Sequence, residues 1–412
     1  MLNSFLIKVR FININLQINY MYVEREITEY FEKVADAYGI IAIIGPRQAG
    51  KTTFLKQKIA NVGGEYLMLD EPDVKAIFDE DIKKFENQYL HDNVLTAIDE
   101  IQYGKEAGRK LKYLVDKGRK LWITSSSQII LSAEVLSWLV GRASIVRIYP
   151  FSLVEFMTAK NQRETTKGII QRTIWEHVIY GGYPRVVLSE NIELKSIMLK
   201  DLYETMVLKD VSKTFSITDI ELLERLSRYL ARSIGNTLVY DTVASDIKTT
   251  FHSLKRCLEA MEKSYLIILI SPFFSNKLKE LTKQPKIYFI DTGLRNAIIN
   301  SFPVSLDNEG KLFENYICSE LLKMGFTPKY WQTKSGAEVD FVIEKNGVLI
   351  PIEVKISANA ETVGRSLRSF ISEYSPKIAI VVSYKGSNGE TRINGCKVVF
   401  TDVPGLRKLI ME

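Results

Sequence analysis

No stretch of this chain stays apolar for the roughly 18 residues that a membrane-spanning helix needs, and its N-terminus has no basic segment ahead of an apolar one. The sequence therefore predicts neither a membrane span nor a signal peptide. Cysteine is scarce. Cys257, Cys318 and Cys396 lie far apart without metal-ligand spacing, which argues against a disulfide framework and fits a reducing, cytoplasmic setting. The three histidines, His91, His177 and His252, join no cluster by spacing. With 23 Gly and 11 Pro in 412 residues, fibrous and disordered classes are excluded, and 46% hydrophobic content describes a globular protein of about three domains. A net charge of +6 tolerates nucleic acid as a partner without requiring it.

What is present begins with Ile40-Ile41-Ala42-Ile43-Ile44, an apolar run that delivers Gly45-Pro46-Arg47-Gln48-Ala49-Gly50-Lys51-Thr52-Thr53. Strand, GxxxxGKT and helix in this order read as a phosphate-binding loop. Glycines at 45 and 50 let several backbone N–H groups turn towards one polyanion. Lys51 brings a compact cation to the β and γ phosphates, and the Thr52 hydroxyl is a Mg²⁺ ligand. The expected cofactors are ATP and Mg²⁺.

Downstream, apolar strands at Tyr66–Leu69, Val94–Ile98, Leu121–Ile123 and Ile145–Ile148 alternate with helical stretches, which predicts a parallel sheet covered on both faces. The second strand ends in Asp99-Glu100. Asp99 is placed to reach the Mg²⁺ shell and Glu100 to orient or deprotonate the attacking water. The next ends in Thr124-Ser125-Ser126-Ser127-Gln128, polar groups suited to sensing a γ-phosphate.

GPRQAGKTT, AIDEIQ, ITSSSQ, Gly141-Arg142, YPFSLVEF and GGYPR together resemble the predicted AAA+-type P-loop ATPases of archaea and bacteria that carry a C-terminal domain of unknown function. The resemblance runs from about residue 25 to residue 210. It implies ATP hydrolysis, with Ser126 as the sensor; the sequence departs from the family at Ser125, where Gly is usual. It also implies Arg142 as an arginine finger, in cis or from a second subunit of a homo-oligomer; the alternative for Arg142 is a surface arginine.

From Asp219 to Phe274 apolar residues stripe three helices: Leu222 to Leu230, Leu238 to Ile247, and Phe251 to Met261. Strands at Tyr265–Ile270 and Lys286–Ile290 follow, the order of a winged helix-turn-helix. Lys248, His252, Lys255 and Arg256 lie off the apolar stripe and are candidate DNA contacts. Winged helices also dock proteins, and both roles stay open.

Asn346-Gly347 between alternating apolar runs predicts a two-residue hairpin turn. That register sets Asp340 opposite Glu353 and Glu338 opposite Lys355. Opposed carboxylates repel unless a cation sits between them, so a divalent metal is the natural occupant. A bulge at Pro351 would shift the count. With Glu314 from a preceding helix over Asn308–Met324, the FEN, EVDF and EVK segments resemble the acid, acid and ExK set of the PD-(D/E)xK nucleases. That resemblance implies metal ligation by Glu314, Asp340 and Glu353, with Lys355 beside them. A further helix near Val363–Glu373 and strands at Ile378–Val382 and Val398–Phe400 complete the expected domain.

The expected organisation is α/β and multidomain: an extension or added edge strand over 1–20, a P-loop core of the ASCE/AAA+ type over 21–160, and a helical lid over 161–215. A winged helix-turn-helix follows over 216–300, and a nuclease-like domain over 301–412. Three outputs follow from it: an ATPase acting on DNA, a nucleotide-controlled scaffold, or an ATP-gated nuclease.

Overall fold

The computed structural model describes residues 22–126, 138–162, 166–274, 283–359 and 362–412. The segment expected as an N-terminal extension lies outside the described residues, as do Ser127 and Gln128. Five strands build the first sheet: β1 Ile40–Ile44, β2 Glu65–Met68, β3 Thr96–Asp99, β4 Leu121–Ser125 and β5 Ala143–Arg147. They run parallel in the order β2-β3-β4-β1-β5. Each overlaps a strand expected from the sequence.

Inner strand β1, between β4 and β5, is buried along its whole length, as a parallel strand covered on both faces must be. Ile41 and Ile43 pack on Phe31, Phe54 and Trp122, whereas Ile40 and Ala42 face Phe78, Phe85 and Leu111. Helices α1 (Thr28–Ala35) and α2 (Lys51–Val62) contribute to the first of these layers. Helices α3 (Pro72–Glu80), α4 (Ile82–Tyr89) and α5 (Ala107–Asp116) contribute to the second. Because all five strands point the same way, their C-terminal ends share one edge, where such sheets bind ligands.

Beyond the sheet come α6 (Leu153–Ala159), α7 (Lys167–Tyr180) and α8 (Ile192–Leu202). Next are α9 (Ile220–Arg232), α10 (Tyr240–Asp246) and α11 (Phe251–Lys263), then the antiparallel pair β6 (Ile267–Ile270) and β7 (Lys286–Phe289). These three helices and two strands fall where the apolar stripes put them. Helices α12 (Thr292–Ile298) and α13 (Gly310–Lys323) lead into a six-stranded sheet in the order β12-β13-β11-β10-β9-β8. Its strands are β8 Lys329–Gln332, β9 Glu338–Lys345, β10 Val348–Ala358, β11 Ile378–Gly386, β12 Gly389–Ile393 and β13 Cys396–Thr401; α14 (Arg365–Tyr374) and α15 (Val403–Met411) complete it.

One apolar core joins the segments expected as lid, winged helix and nuclease-like domain. Leu199, Leu226, Leu258, Ile287, Phe313 and Ile352 all belong to it. These three segments therefore fold around shared contacts rather than as separate beads.

The β9–β10 turn has φ of 50° at Asn346 and 76° at Gly347, the two positive values that a type I′ turn requires. Val348 pairs with Lys345 as expected, and the ladder continues to Ile352 opposite Phe341. There the simple count fails. Against β8 the register shifts by one residue between Val339 and Val342, so the irregularity lies in β9 rather than at Pro351. A bulge of this kind re-aims the side chains on one side of it. Asp340 consequently does not pair with Glu353; its carboxylate accepts the Val354 N–H at 2.7 Å.

Candidate nucleotide site and C-terminal acid cluster

Gly45 leaves β1 with φ of 153°, and a Cβ there would sit 1.9 Å from the Ile148 carbonyl oxygen. Only glycine lets the loop pass so close to the chain leaving β5. The turn through Pro46, Arg47, Gln48 and Ala49 ends at Gly50, and Lys51 opens α2. Lys51 is 4% exposed and donates to the Pro46 carbonyl at 2.8 Å. Burial pushes its ammonium down to about 8, against the opposing pull of Glu100 and Asp99. Thr52 is partly exposed on the first turn of α2, and Thr53 is exposed.

Asp99, 1% exposed, ends β3 on the same edge. Its carboxylate accepts from the Thr124 hydroxyl on one oxygen and from Tyr66 Oη, at 2.5 Å, on the other. The same Thr124 hydroxyl accepts the Glu100 N–H at 2.9 Å. Glu100 stands at φ 57°, which turns the chain sharply after β3, and its carboxylate accepts from Gln102. Gln102 also donates to Ser126 Oγ at 3.0 Å, so the expected sensor reaches Glu100 through an amide.

Arg25 braces the loop from behind. Its guanidinium, 6% exposed, donates to the Ala49 carbonyl at 2.8 Å and the Tyr149 carbonyl at 2.5 Å, and pairs with Glu155 at 2.9 Å. Glu155 closes a capping box with Ser152 at the start of α6. The next N–H, of Leu153, donates to Glu320 on α13 at 2.9 Å. GGYPR also adjoins the loop: Pro184 lies beside Gly50, next to Arg25, and a Cβ on Gly181 would meet the buried Asp291 carboxylate at 2.0 Å. His177 bridges Tyr316 Oη and the Phe151 carbonyl within the core, where burial holds its imidazole well below the usual range.

Arg142 is not near this edge. It precedes β5, its carbonyl bonds to the start of β1, and its guanidinium pairs with Asp116 at 2.8 Å. A strand of five residues separates that end from the loop, about 16 Å at roughly 3.3 Å per residue. The expected finger in cis is thereby corrected; contact with a bound nucleotide in its own chain is out of reach.

In the C-terminal half the acids that converge are Glu314, Glu338 and Asp340, with candidate ligand atoms within 4.8 Å of one another. The expected set of Glu314, Asp340 and Glu353 is corrected here. The β9 irregularity leaves Glu353 beside the start of α14, paired with Lys355 at 2.8 Å, while one of its buried oxygens has no hydrogen-bond partner. Two lysines stand inside the cluster. Lys286 of β7, 1% exposed, lies 2.5 Å from Glu338 and 3.7 Å from Glu314, and Lys311 lies 2.7 Å from Glu314. Tyr288 Oη donates to Glu314 at 2.5 Å. Burial, then the Glu314 charge, raises the Asp340 carboxyl to about 7.

Of the candidate DNA contacts, Lys248 and Lys255 are exposed, and Lys255 rests over the Tyr240 and Phe251 rings. His252 is exposed as well. Arg256 is already engaged, donating to the Phe215 and Ser216 carbonyls.

Residues 37–157 match a family model described as an AAA domain. They form a P-loop domain of the AAA type. Residues 171–305 and 309–401 match models described as domains of unknown function, DUF8612 and DUF4143. The chain is similar to a protein of Haemophilus influenzae, at 25% identity over 88% of this chain and 92% of the relative. A Methanocaldococcus jannaschii protein is 29% identical over 74% of this chain and 72% of the relative. Both carry the name "Uncharacterized protein". Among solved structures, the Walker-type ATPase PABY2304 of Pyrococcus abyssi aligns with a TM-score of 0.45 and 13% identity, over 67% of this chain and 96% of that one. Among the described residues no helix is long and apolar enough to cross a membrane.

Sequence reasoning placed the loop and the acid pair of the AAA module at one edge but missed what holds them, reading Thr124 only as part of a sensing run. Thr124, Tyr66 and Gln102 are spread over three segments, and Arg25 precedes the first strand. The available signal for Thr124 was a polar residue inside an otherwise apolar strand. Lys286 gave the same kind of signal at the start of β7.

Proposed function

We propose that the chain hydrolyses ATP with Mg²⁺ in its AAA module, and that turnover rearranges the C-terminal half. The observation that carries this reading is the Thr124 hydroxyl, held between the Asp99 carboxylate and the Glu100 N–H opposite a buried, phosphate-seeking Lys51. The Thr52 hydroxyl and Asp99 carboxylate are hard oxygen donors, the set Mg²⁺ favours, and they would hold it. When bound, that ion offsets charge on the phosphate oxygens. Lys51 leaves the Pro46 carbonyl for the phosphates, and Glu100, steered by Gln102, takes the proton of the attacking water.

Three supports favour coupling to the C-terminal half: Arg25 on the loop, Glu155 on Arg25, and Glu320 of α13 on the residue after the capping serine. Helix α13 also carries Glu314. For the output we favour DNA, met by the exposed Lys248 and Lys255 of a winged-helix segment. A homo-oligomer in which Arg142 acts in trans fits its place on the far edge. Glu314, Glu338 and Asp340 favour a second reading, an ATP-gated metal-dependent nuclease, in which Lys286 and Lys311 must withdraw before a cation enters.

ATP hydrolysis and DNA cleavage followed together test these readings. Lys51→Ala is expected to lose nucleotide and turnover, and Glu100→Gln to bind ATP without hydrolysing it. Hydrolysis by both variants at the parent rate overturns the mechanism. Absence of DNA-stimulated turnover removes DNA as the output, and absence of cutting with Mg²⁺ or Mn²⁺ that Asp340→Asn abolishes removes the nuclease.

A further inference from the structure

Two residues after Gly45 in the phosphate loop, Arg47 is partly buried and does not end in solvent. Its guanidinium donates to Tyr103 Oη at 2.7 Å. Tyr103 closes the 3₁₀ turn Ile101–Tyr103, which begins immediately after Glu100. The side chain therefore spans from the loop to the acid-bearing segment, across the mouth through which the outermost phosphate of a bound nucleotide would face the attacking water. Its charge is close enough to help depress the Lys51 ammonium.

A second cation beside Lys51 would favour a polyanion in that position. A nucleoside triphosphate chelated by one divalent cation remains negative, and Lys51 offers one positive charge. Arg25 is committed to Ala49, Tyr149 and Glu155 behind the loop, and Arg142 lies at the opposite edge of the sheet. A planar guanidinium can meet phosphate oxygens with two parallel N–H bonds, which a lysine cannot.

We infer that Arg47 is the arginine of this site acting in cis: it leaves Tyr103 to contact the γ-phosphate and so distinguishes a nucleoside triphosphate from a diphosphate. This rests on the proposed ATP reading and assigns its specificity to one side chain. Tyr103 holds the guanidinium over the mouth when the γ-phosphate is absent, which limits the conformational entropy lost on binding.

Competition binding with a fluorescent ADP analogue, displaced by ADP or by a non-hydrolysable ATP analogue in Mg²⁺, tests the inference. The parent is expected to prefer the triphosphate. Arg47→Ala should keep ADP affinity within about twofold and lose roughly tenfold or more of triphosphate affinity, as removal of a charge-assisted contact predicts. Arg47→Lys should fall between them. Retained ADP binding reports a folded loop in each variant. Equal weakening for both nucleotides would make Arg47 a shaper of the loop and overturn the inference, as would an unchanged triphosphate preference. A parent that binds no nucleotide, or a Lys51→Ala variant that binds as the parent does, refutes the underlying ATP reading instead.

Discussion

Lys51 is a buried ammonium that donates to a carbonyl rather than to a carboxylate, and the resulting cost is measurable. Its proton affinity falls from 10.5 to about 8, chiefly through burial. At about 1.36 kcal/mol per tenfold change, this corresponds to roughly 3 kcal/mol of destabilisation at neutral pH. Replacement by Met removes the charge and keeps most of the apolar stem, but leaves the Pro46 carbonyl without its donor. A net gain of about 2 kcal/mol remains, or roughly 4–8 °C for a module of this size. The folded group binds its proton more weakly than the unfolded one. Stability contributed at this site therefore rises with pH between about 8 and 10.5, and the advantage of Lys51→Met should shrink over that window. Thermal melting of protein stripped of nucleotide and divalent cations, at pH 7, 8.5 and 10, reads this directly. Added ATP should reverse the order at pH 7 by stabilising the parent alone. A variant that melts at or below the parent at pH 7, or a difference that ignores pH, would refute the reasoning.

Thr124→Val keeps the shape of a fully buried side chain but deprives the Asp99 carboxylate and the Glu100 N–H of their shared hydroxyl. Hydrolysis should fall roughly 10- to 100-fold with ATP binding nearly intact, in steady-state and equilibrium assays, if each lost contact contributes about 1–3 kcal/mol. Lys286→Met strands Glu314 and Glu338 without their buried cation and should destabilise the C-terminal half by about 3–5 kcal/mol in denaturation; Glu338→Gln in the same chain should recover part of this. Asp340 has its folded carboxyl raised to about 7, so the stability it contributes is complete below about pH 4 and lost as pH rises through 7. Melting of the parent should therefore decline between about pH 4 and 7, and Asp340→Asn should flatten that decline.

The AAA sheet was legible because each of its strands is a local apolar run, and because the loop and the acid pair are each carried by contiguous residues. Even the hairpin turn at Asn346-Gly347 could be read locally, since two adjacent positive φ values demand those residue types. The failure came six residues before it. Counting by two is a long-range inference that one added residue in β9 inverts, so Glu338 joined Glu314 and Asp340 while Glu353 left them. The partners of Lys286 were missed for a related reason. It enters the cluster from β7, a different stretch of chain brought alongside α13 and β9 by the shared core, and no sequence spacing records that packing. The same logic explains Arg142, which adjoins the sheet as its motif suggests but at the end where strands begin. A motif identifies a residue type beside an element; the direction of the strand decides which edge of the sheet it reaches. That direction leaves Arg47, inside the loop itself, as the guanidinium positioned beside both Lys51 and the turn that follows Glu100.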